Sequence, residues 1–201
     1  MSEKPNPVKT RRMLALLAAV SLFPFVGAAL LYFFWAPHSA TNYGELIEVV
    51  PMEAVVLTDR EGRPLPIASL RGRWAFVMSD SGQCEAACRS RLHLMRQVRL
   101  ALGKDQDRIE RLWLLEDNLV PAAGLMEEFA GTRQVRSGSG GLRLPAAESS
   151  RDHVYLIDPF GNLMMRFPRN ADLTLVKKDM VKLMKVSSGW IHTGGKEKSA
   201  P

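Results

Sequence analysis

The longest apolar run in the chain covers residues 13–35, which carry no charged side chain. As a helix that rises about 1.5 Å per residue, this segment is long enough to cross the roughly 30 Å of hydrocarbon in a bilayer. Further along, short apolar runs separated by turn residues are typical of a globular domain. The pattern therefore predicts a transmembrane helix at 13–35, preceded by an N-terminus at 1–12 and followed by a linker at 36–48, a domain at 49–187 and a flexible tail at 188–201.

The charges beside the apolar segment predict its orientation. Lys4, Lys9, Arg11 and Arg12 precede it, whereas no lysine or arginine follows it until Arg60. By the positive-inside rule, the N-terminus is cytoplasmic and the domain is exported. The apolar segment is longer than the core of a typical signal peptide, and the N-terminus is too short and too poor in arginine and serine for an organelle transit peptide. We therefore expect a single-pass protein of a bacterial inner membrane with a periplasmic domain.

Inside the domain, apolar runs and turn residues predict alternating strands and helices. In chain order we expect a strand at 54–58 with a short return arm at 65–67, a central buried strand at 74–78, a helix after the cysteine motif that ends at Gly103, a strand at 109–115, a helix at 121–129, a hairpin with strands at 153–157 and 163–167, and a closing amphipathic helix at 172–186. This order predicts an α/β fold, a thioredoxin-like domain with a central mixed sheet flanked by helices and tethered by one N-terminal transmembrane helix.

The two cysteines of the chain, Cys84 and Cys88, follow the predicted central strand within a few residues. There a helix N-terminus, with its partial positive charge, lowers the pKa of a thiol, and we expect Arg89 and Arg91 to add to this effect while Glu85 opposes it. Inside a regular helix, residues four apart hold their Cβ atoms about 5–6 Å apart, whereas a disulfide requires about 3.5–4.5 Å. We therefore expect Cys84 in the loop before the helix, where the pair can both oxidise and bind a metal. The alternative is that both cysteines are small apolar residues on one helix face.

Two thiolates and one imidazole form a soft three-ligand site that suits copper, whereas structural zinc usually has four ligands. Of the four histidines, His38 adjoins the membrane segment and His192 lies in the predicted tail. His93 lies on a different side of its helix from Cys88. His153 begins a predicted strand where a thioredoxin-like fold brings the chain past the cysteine motif. It is the predicted third ligand, and the alternative is a histidine that only ends a strand with a backbone hydrogen bond.

The sequence resembles the Sco/SenC family over most of residues 50–186. The resemblance is carried by residues 57–64, 70–74, the Cys-x-x-x-Cys motif, and Asp152-His153 before residues 155–161. Members of that family are membrane-anchored, thioredoxin-like copper proteins that assist assembly of the binuclear copper site in cytochrome c oxidase. The resemblance implies that Cys84, Cys88 and His153 bind copper and that the partner is a respiratory oxidase subunit carrying a copper site. The chain is a divergent member, since Glu85 stands where the family usually has proline.

Three functions stay open at this point. In the favoured one, a metallochaperone holds copper through the three predicted ligands and delivers it to the oxidase. In the second, an enzyme, Cys84 attacks and Cys88 resolves in thiol–disulfide exchange, because the more exposed N-terminal sulfur usually attacks. In the third, a non-catalytic module is tethered to the membrane and its cysteine motif is vestigial. Part of the formal net charge of +6 precedes the membrane segment, and nothing in the domain predicts binding to nucleic acid.

Overall fold

The computed structural model describes residues 7–35, 42–138, 142, 144–145 and 149–187. The chain divides into two compact units, residues 1–41 and residues 42–201. The first contains the helix α1, Pro7–Trp35. Its segment Arg11–Leu31 is the one stretch within the described residues that is long and apolar enough to cross a membrane. The structure thus confirms one N-terminal apolar helix as the candidate anchor, and the predicted tail at 188–201 lies outside the described residues.

The second unit is built on an eight-stranded mixed sheet. Its strands are β1 (Glu45–Pro51), β2 (Val56–Asp59), β3 (Pro64–Pro66), β4 (Trp74–Asp80), β5 (Ile109–Leu115), β6 (Arg133–Ser137), β7 (Val154–Ile157) and β8 (Asn162–Phe167). Their order across the sheet is β1-β8-β7-β4-β5-β6-β2-β3. Because β4 pairs in parallel with β5 and antiparallel with β7, the cysteine motif leaves the sheet from its centre.

Three helices complete the domain: α2 (Ala86–Ala101), α3 (Ala123–Glu128) and α4 (Leu173–Ser187). Every residue of β4 is buried, as predicted for a strand covered on both faces. Trp74, Phe76 and Met78 face the core beneath α2 and α4. Ala75 and Val77 face a second core on the other side of the sheet. The predicted thioredoxin-like α/β fold is confirmed.

Two strands and one boundary differ from the sequence prediction. β6 was not predicted, and it forms because pairing with β5 and β2 buries Val135. β1 begins at Glu45, inside the segment 36–48 that was predicted as a linker, so the sheet starts earlier than expected. β1 is almost wholly exposed and therefore lacks the alternation of apolar and polar residues that marks a half-buried strand. It is held by antiparallel pairing with β8.

Asp179 on α4 fastens the chain that enters β1. Its buried carboxylate accepts hydrogen bonds from the backbone N–H groups of Tyr43 and Gly44, at 2.7 and 2.8 Å. Gly44 leaves no room for a side chain, since an added Cβ would lie 2.8 Å from a ring atom of Phe167. One acidic side chain thus satisfies two donors and fixes where the sheet begins.

We expect the substitution Asp179→Ala to destabilise the domain by about 2–4 kcal/mol, because each buried N–H left without a partner costs about 1–3 kcal/mol. Urea unfolding followed by tryptophan fluorescence measures the loss. Asp179→Asn keeps an acceptor oxygen and is the matched control, with less than half the loss. Equal stability of Asp179→Ala and the wild type would contradict this account.

Candidate redox site

Cys84 and Cys88 are joined by a disulfide at the carboxyl end of β4. Since α2 begins at Ala86 with Glu85 as its N-cap, Cys84 lies in the loop before the helix and Cys88 lies in the first turn. Their Cα atoms are 5.1 Å apart, a separation that a disulfide spans readily. The expected placement of Cys84 outside the helix is confirmed.

The backbone of Cys84 adopts a left-handed conformation, with φ of +46°. It is the one non-glycine residue with positive φ in the described part of the chain. A residue with a Cβ atom adopts this conformation at a cost of order 1–3 kcal/mol. The backbone N–H of Cys84 also donates to the carbonyl oxygen of Ser81, at 3.2 Å. This tight turn lets two cysteines at a helical spacing approach each other more closely than a regular helix allows.

The loop that carries Cys84 is fastened to the loop that follows β5. Asp117 Oδ1 accepts hydrogen bonds from the backbone N–H groups of Gly82 and Leu119, at 3.0 and 3.1 Å. An added Cβ at Gly82 would lie 2.8 Å from the carbonyl carbon of Leu119, so only glycine permits this approach. The loop after β5 thus holds the backbone of the cysteine loop in place.

The Asp117 carboxylate makes this connection sensitive to pH. A hydrogen bond from the Ser81 side chain, and then one from the Gly82 backbone N–H, lower the pKa of Asp117 below its usual range. The connection is therefore present above the pKa of an unfolded aspartate, about 4, and is lost as the pH falls through the lower pKa of the folded protein.

We accordingly expect the protection factor of the Gly82 amide proton, which compares its exchange rate with the intrinsic rate at the same pH, to fall when the pH is lowered through that range, and its resonance to shift. Asp117→Asn should show the lower protection factor already at neutral pH, because a neutral amide oxygen is a weaker acceptor. Hydrogen exchange followed by NMR measures both effects. A Gly82 amide that is equally protected in Asp117→Asn and the wild type at neutral pH would contradict the role given to Asp117.

A cavity of about 300 Å³ opens beside the disulfide and is lined by both cysteines. Cys84 is 4% exposed and Cys88 is 1% exposed, so the cavity is the route by which another molecule reaches the sulfurs. Its charged lining residues are Asp80, Glu85, Arg91, Arg151, Asp152 and Arg169. Most of these charges are paired. Arg91 donates to Asp80, Arg169 pairs with Asp152 at 3.1 Å, and Arg151 donates to Glu116 at 2.6 Å.

His153 does not line this cavity. Its backbone is extended, so it continues the alternation of side chains along β7. Val154 and Leu156 face the core that contains the cysteines, whereas Tyr155 belongs to the core on the other side of the sheet. His153 shares the side of Tyr155, and the two ring centroids lie 6.0 Å apart. The imidazole Nδ1 lies 3.0 Å from the carbonyl oxygen of Phe167.

The structure therefore brings Cys84 and Cys88 together and leaves His153 on the opposite face of the sheet. Among the residues that the structure describes, no group of three or more His, Cys, Asp or Glu side chains is arranged to hold a metal ion. Both sulfurs are bonded to each other in this form. The predicted copper-ligand role of Cys84, Cys88 and His153 concerns the dithiol form and stays a prediction. His38 and His192 lie outside the described residues, and His93 is exposed on α2.

Two of the charged residues of the cavity were identified from the sequence, Arg91 as a residue expected to lower the thiol pKa and Glu85 as one expected to oppose this effect. Arg91 follows Cys88 by three residues, a spacing that places both on one face of a helix. Asp152 could not have been found from the sequence, because β7 is buried on both faces and shows no alternation that would tell which residues face the cysteines. Arg169 lies beyond β8 and left no local signal, since only the sheet pairing of β7 and β8 brings it to Asp152.

Comparisons with solved structures support the fold. Yeast Sco1 with copper bound is 15% identical, the match covering 73% of this chain and 95% of that one, with a TM-score of 0.54. Bradyrhizobium japonicum ScoI with copper bound is 17% identical, with coverage of 71% and 98% and a TM-score of 0.50. Apo Sco1 from Thermus thermophilus is 14% identical, with coverage of 74% and 99% and a TM-score of 0.54. At these identities the likeness shows the fold, and it agrees with the fold that the resemblance to the Sco/SenC family implied.

No curated protein sequence matches the chain. A family model described as "Transmembrane-like, thioredoxin-like, C-terminal domain" matches residues 74–187. That range begins at the first residue of β4, contains the cysteine motif and ends at the last residue of α4. Because it spans more than half of the chain, the protein belongs to this family of transmembrane-like, thioredoxin-like C-terminal domains.

Proposed function

We propose that this protein is a membrane-anchored thiol–disulfide exchange protein that acts on the cysteines of an exported partner. The observation that carries the proposal is the Cys84–Cys88 disulfide, held between a central strand and a helix N-terminus and reached through a cavity. In a thioredoxin-like domain this position favours a reactive thiol, because the helix N-terminus stabilises a thiolate.

The exchange proceeds in two steps. A thiolate of the partner attacks Cys84 Sγ, a mixed disulfide forms, and Cys88 leaves as a thiolate. A second partner thiolate then attacks the partner sulfur of the mixed disulfide and releases Cys84, so the partner is oxidised to a disulfide and the pair becomes a dithiol. The reverse sequence reduces a partner disulfide. Cys84 is the exchanging sulfur because it lies in the loop, whereas Cys88 is inside α2 and 1% exposed.

The partner that we propose is the copper-carrying subunit of a respiratory oxidase, whose cysteines must be reduced before they take up metal. The resemblance to the Sco/SenC family supports this choice. The proposed location is the bacterial inner membrane, with the N-terminus in the cytoplasm and the domain in the periplasm. The location is supported by the basic residues before the apolar segment 13–35 and by the length of that segment.

Oxidase activity in cells that carry the Cys84→Ser/Cys88→Ser double variant tests this function. We expect the loss of assembled oxidase, without rescue by added copper, because the partner cysteines stay oxidised. His153→Ala is the matched control and should retain activity, since its side chain lies away from the disulfide. Full activity of the double cysteine variant would show instead that the motif is vestigial.

Copper delivery is the second candidate, favoured by the copper-bound structures of yeast Sco1 and B. japonicum ScoI, which share the fold. After reduction, Cys84 and Cys88 would offer two thiolates, the soft ligands that copper(I) prefers. Titration of the reduced full-length protein with copper(I) tests this candidate in the wild type, Cys84→Ser and His153→Ala. Unchanged binding in Cys84→Ser would eliminate it. A loss of affinity in His153→Ala as well as in Cys84→Ser would establish the imidazole as a ligand of the dithiol form.

A further inference from the structure

We infer that Arg91 stabilises the negative charge that appears on Cys88 when the disulfide opens, and that Asp80 weakens this effect by holding the same guanidinium group. The inference rests on the proposed function, because it concerns what sets the redox equilibrium of that same site.

Arg91 lies where its charge can act on Cys88. It follows Cys88 by three residues in α2, and side chains at this spacing are neighbours on one helix face, with about 5–6 Å between Cβ atoms. Both residues are buried, with Arg91 3% exposed and Cys88 1% exposed. Arg91 also lines the cavity into which both cysteines open.

The hydrogen bonds of Arg91 leave a donor to spare. Its Nη2 donates to Asp80 Oδ2, whereas its Nε is buried and has no hydrogen-bond partner in the described part of the protein. A buried donor without a partner costs free energy. A disulfide is neutral and offers only a weak acceptor, but a thiolate is a strong one. Opening the disulfide therefore places a thiolate beside the Arg91 guanidinium group, whose Nε–H can still donate a hydrogen bond.

The other charges of the cavity have different partners. Arg169 is paired with Asp152, and Arg151 donates to Glu116. Glu85, the N-cap of α2, is exposed to solvent, which screens its charge. The Arg91 and Asp80 side chains are the most buried oppositely charged pair of the cavity, at 3% and 13% exposed. Because electrostatic interactions strengthen with burial, this pair is the least screened of the charged pairs beside the sulfurs.

Stabilisation of the Cys88 thiolate has two consequences. The leaving sulfur departs more readily, which speeds attack on Cys84. The dithiol form also becomes more stable relative to the disulfide, which raises the reduction potential. Asp80 opposes both effects, so the potential is set by a competition between a carboxylate and a thiolate for one guanidinium group.

The test is a redox equilibration of the full-length protein in detergent micelles with reduced and oxidised glutathione. Two glutathione thiols reduce the disulfide to a dithiol and become one glutathione disulfide, and thiol alkylation followed by mass spectrometry reports the reduced fraction. We expect Asp80→Asn to raise the equilibrium constant for reduction about tenfold, or about 30 mV. Asp80→Asn/Arg91→Met should lower it about tenfold below the wild type.

The inference predicts opposite shifts of the equilibrium constant for reduction in these two variants. A merely structural role would lower stability in both variants without reversing the sign of the redox shift. Equal equilibrium constants in the wild type and both variants would overturn it. If the double variant does not fold, Arg91→Lys and Arg91→Gln replace it, and only Arg91→Gln should show the tenfold fall. A wild-type protein that never exchanges with glutathione would refute the proposed function itself, which keeps the two failures distinguishable.

Discussion

The substitution Cys88→Ala will convert the protein into a covalent trap for its partner. Attack by Cys84 on a partner disulfide normally ends when Cys88 attacks Cys84 Sγ in the mixed disulfide and releases the reduced partner thiol. Without Cys88 the mixed disulfide accumulates and turnover falls to the uncatalysed level. Non-reducing electrophoresis of the tagged full-length protein from cells, followed by mass spectrometry of the adduct, detects the trapped species and identifies the partner.

Cys84→Ala is the matched control, because it also leaves a single thiol. The remaining Cys88 is within the first turn of α2 and 1% exposed, so it should form few adducts. Equal trapping by the two variants would contradict the assignment of Cys84 as the exchanging sulfur. Absence of adducts from both variants would contradict thiol exchange with a protein partner.

Trp74→Ala is the substitution for which we expect the largest loss of stability. Trp74 is the first residue of β4, is fully buried, and donates from its indole Nε1 to Ser187 Oγ at 3.1 Å. Removing a buried tryptophan side chain typically costs about 3–5 kcal/mol. This is a large part of the 5–15 kcal/mol by which a typical domain is stable. We expect the thermal midpoint to fall by about 10 °C or more, as measured by circular dichroism.

Two further variants separate packing from hydrogen bonding at this position. Trp74→Phe keeps most of the apolar volume and should lose less stability than Trp74→Ala. Ser187→Ala removes the oxygen that accepts from both the indole and Arg108 Nη2, and it should cost about 1–3 kcal/mol. A Trp74→Ala variant with an unchanged midpoint would mean that β4 is not the centre of the core. In that case other strands would have to hold the cysteines in position.

The sequence predicted the central part of the fold because burial leaves a strong pattern there. The strand β4 contains a continuous apolar run at 74–78, β5 contains one at 112–115, and α4 repeats apolar residues at helical spacing. The position of Cys84 before the helix was also predictable, since a disulfide and a regular helical turn require different separations. In each case a physical constraint within one short segment was sufficient for the prediction.

The strands β1 and β6 could not be predicted, because neither sequence shows the pattern of apolar residues that marks a buried or half-buried strand. β1 is exposed along nearly its whole length, and β6 has the sequence Arg-Gln-Val-Arg-Ser. Both exist because neighbouring strands offer them backbone hydrogen bonds. Such pairing is a property of the assembled sheet, and no short stretch of sequence encodes it.

The position of His153 shows that the prediction of a site residue depends on the register of its strand. Successive residues of a strand point to opposite faces, so a shift of one residue decides which side chain meets the cysteines. The register of β7 is set by its pairing with β4 and β8, which places Asp152 at the cavity and His153 on the other face. The sequence indicated that this segment passes the cysteines, but it contained no information on which of the two adjacent residues faces them.

The most direct test of the central claim is a redox titration of the intact protein with glutathione. The account predicts one complete transition between the Cys84–Cys88 disulfide and the dithiol, with the steepness of a two-electron reaction, and no transition in Cys84→Ser/Cys88→Ser. A protein that stays in one state at every ratio of reduced to oxidised glutathione would contradict the claim that this disulfide is exchanged.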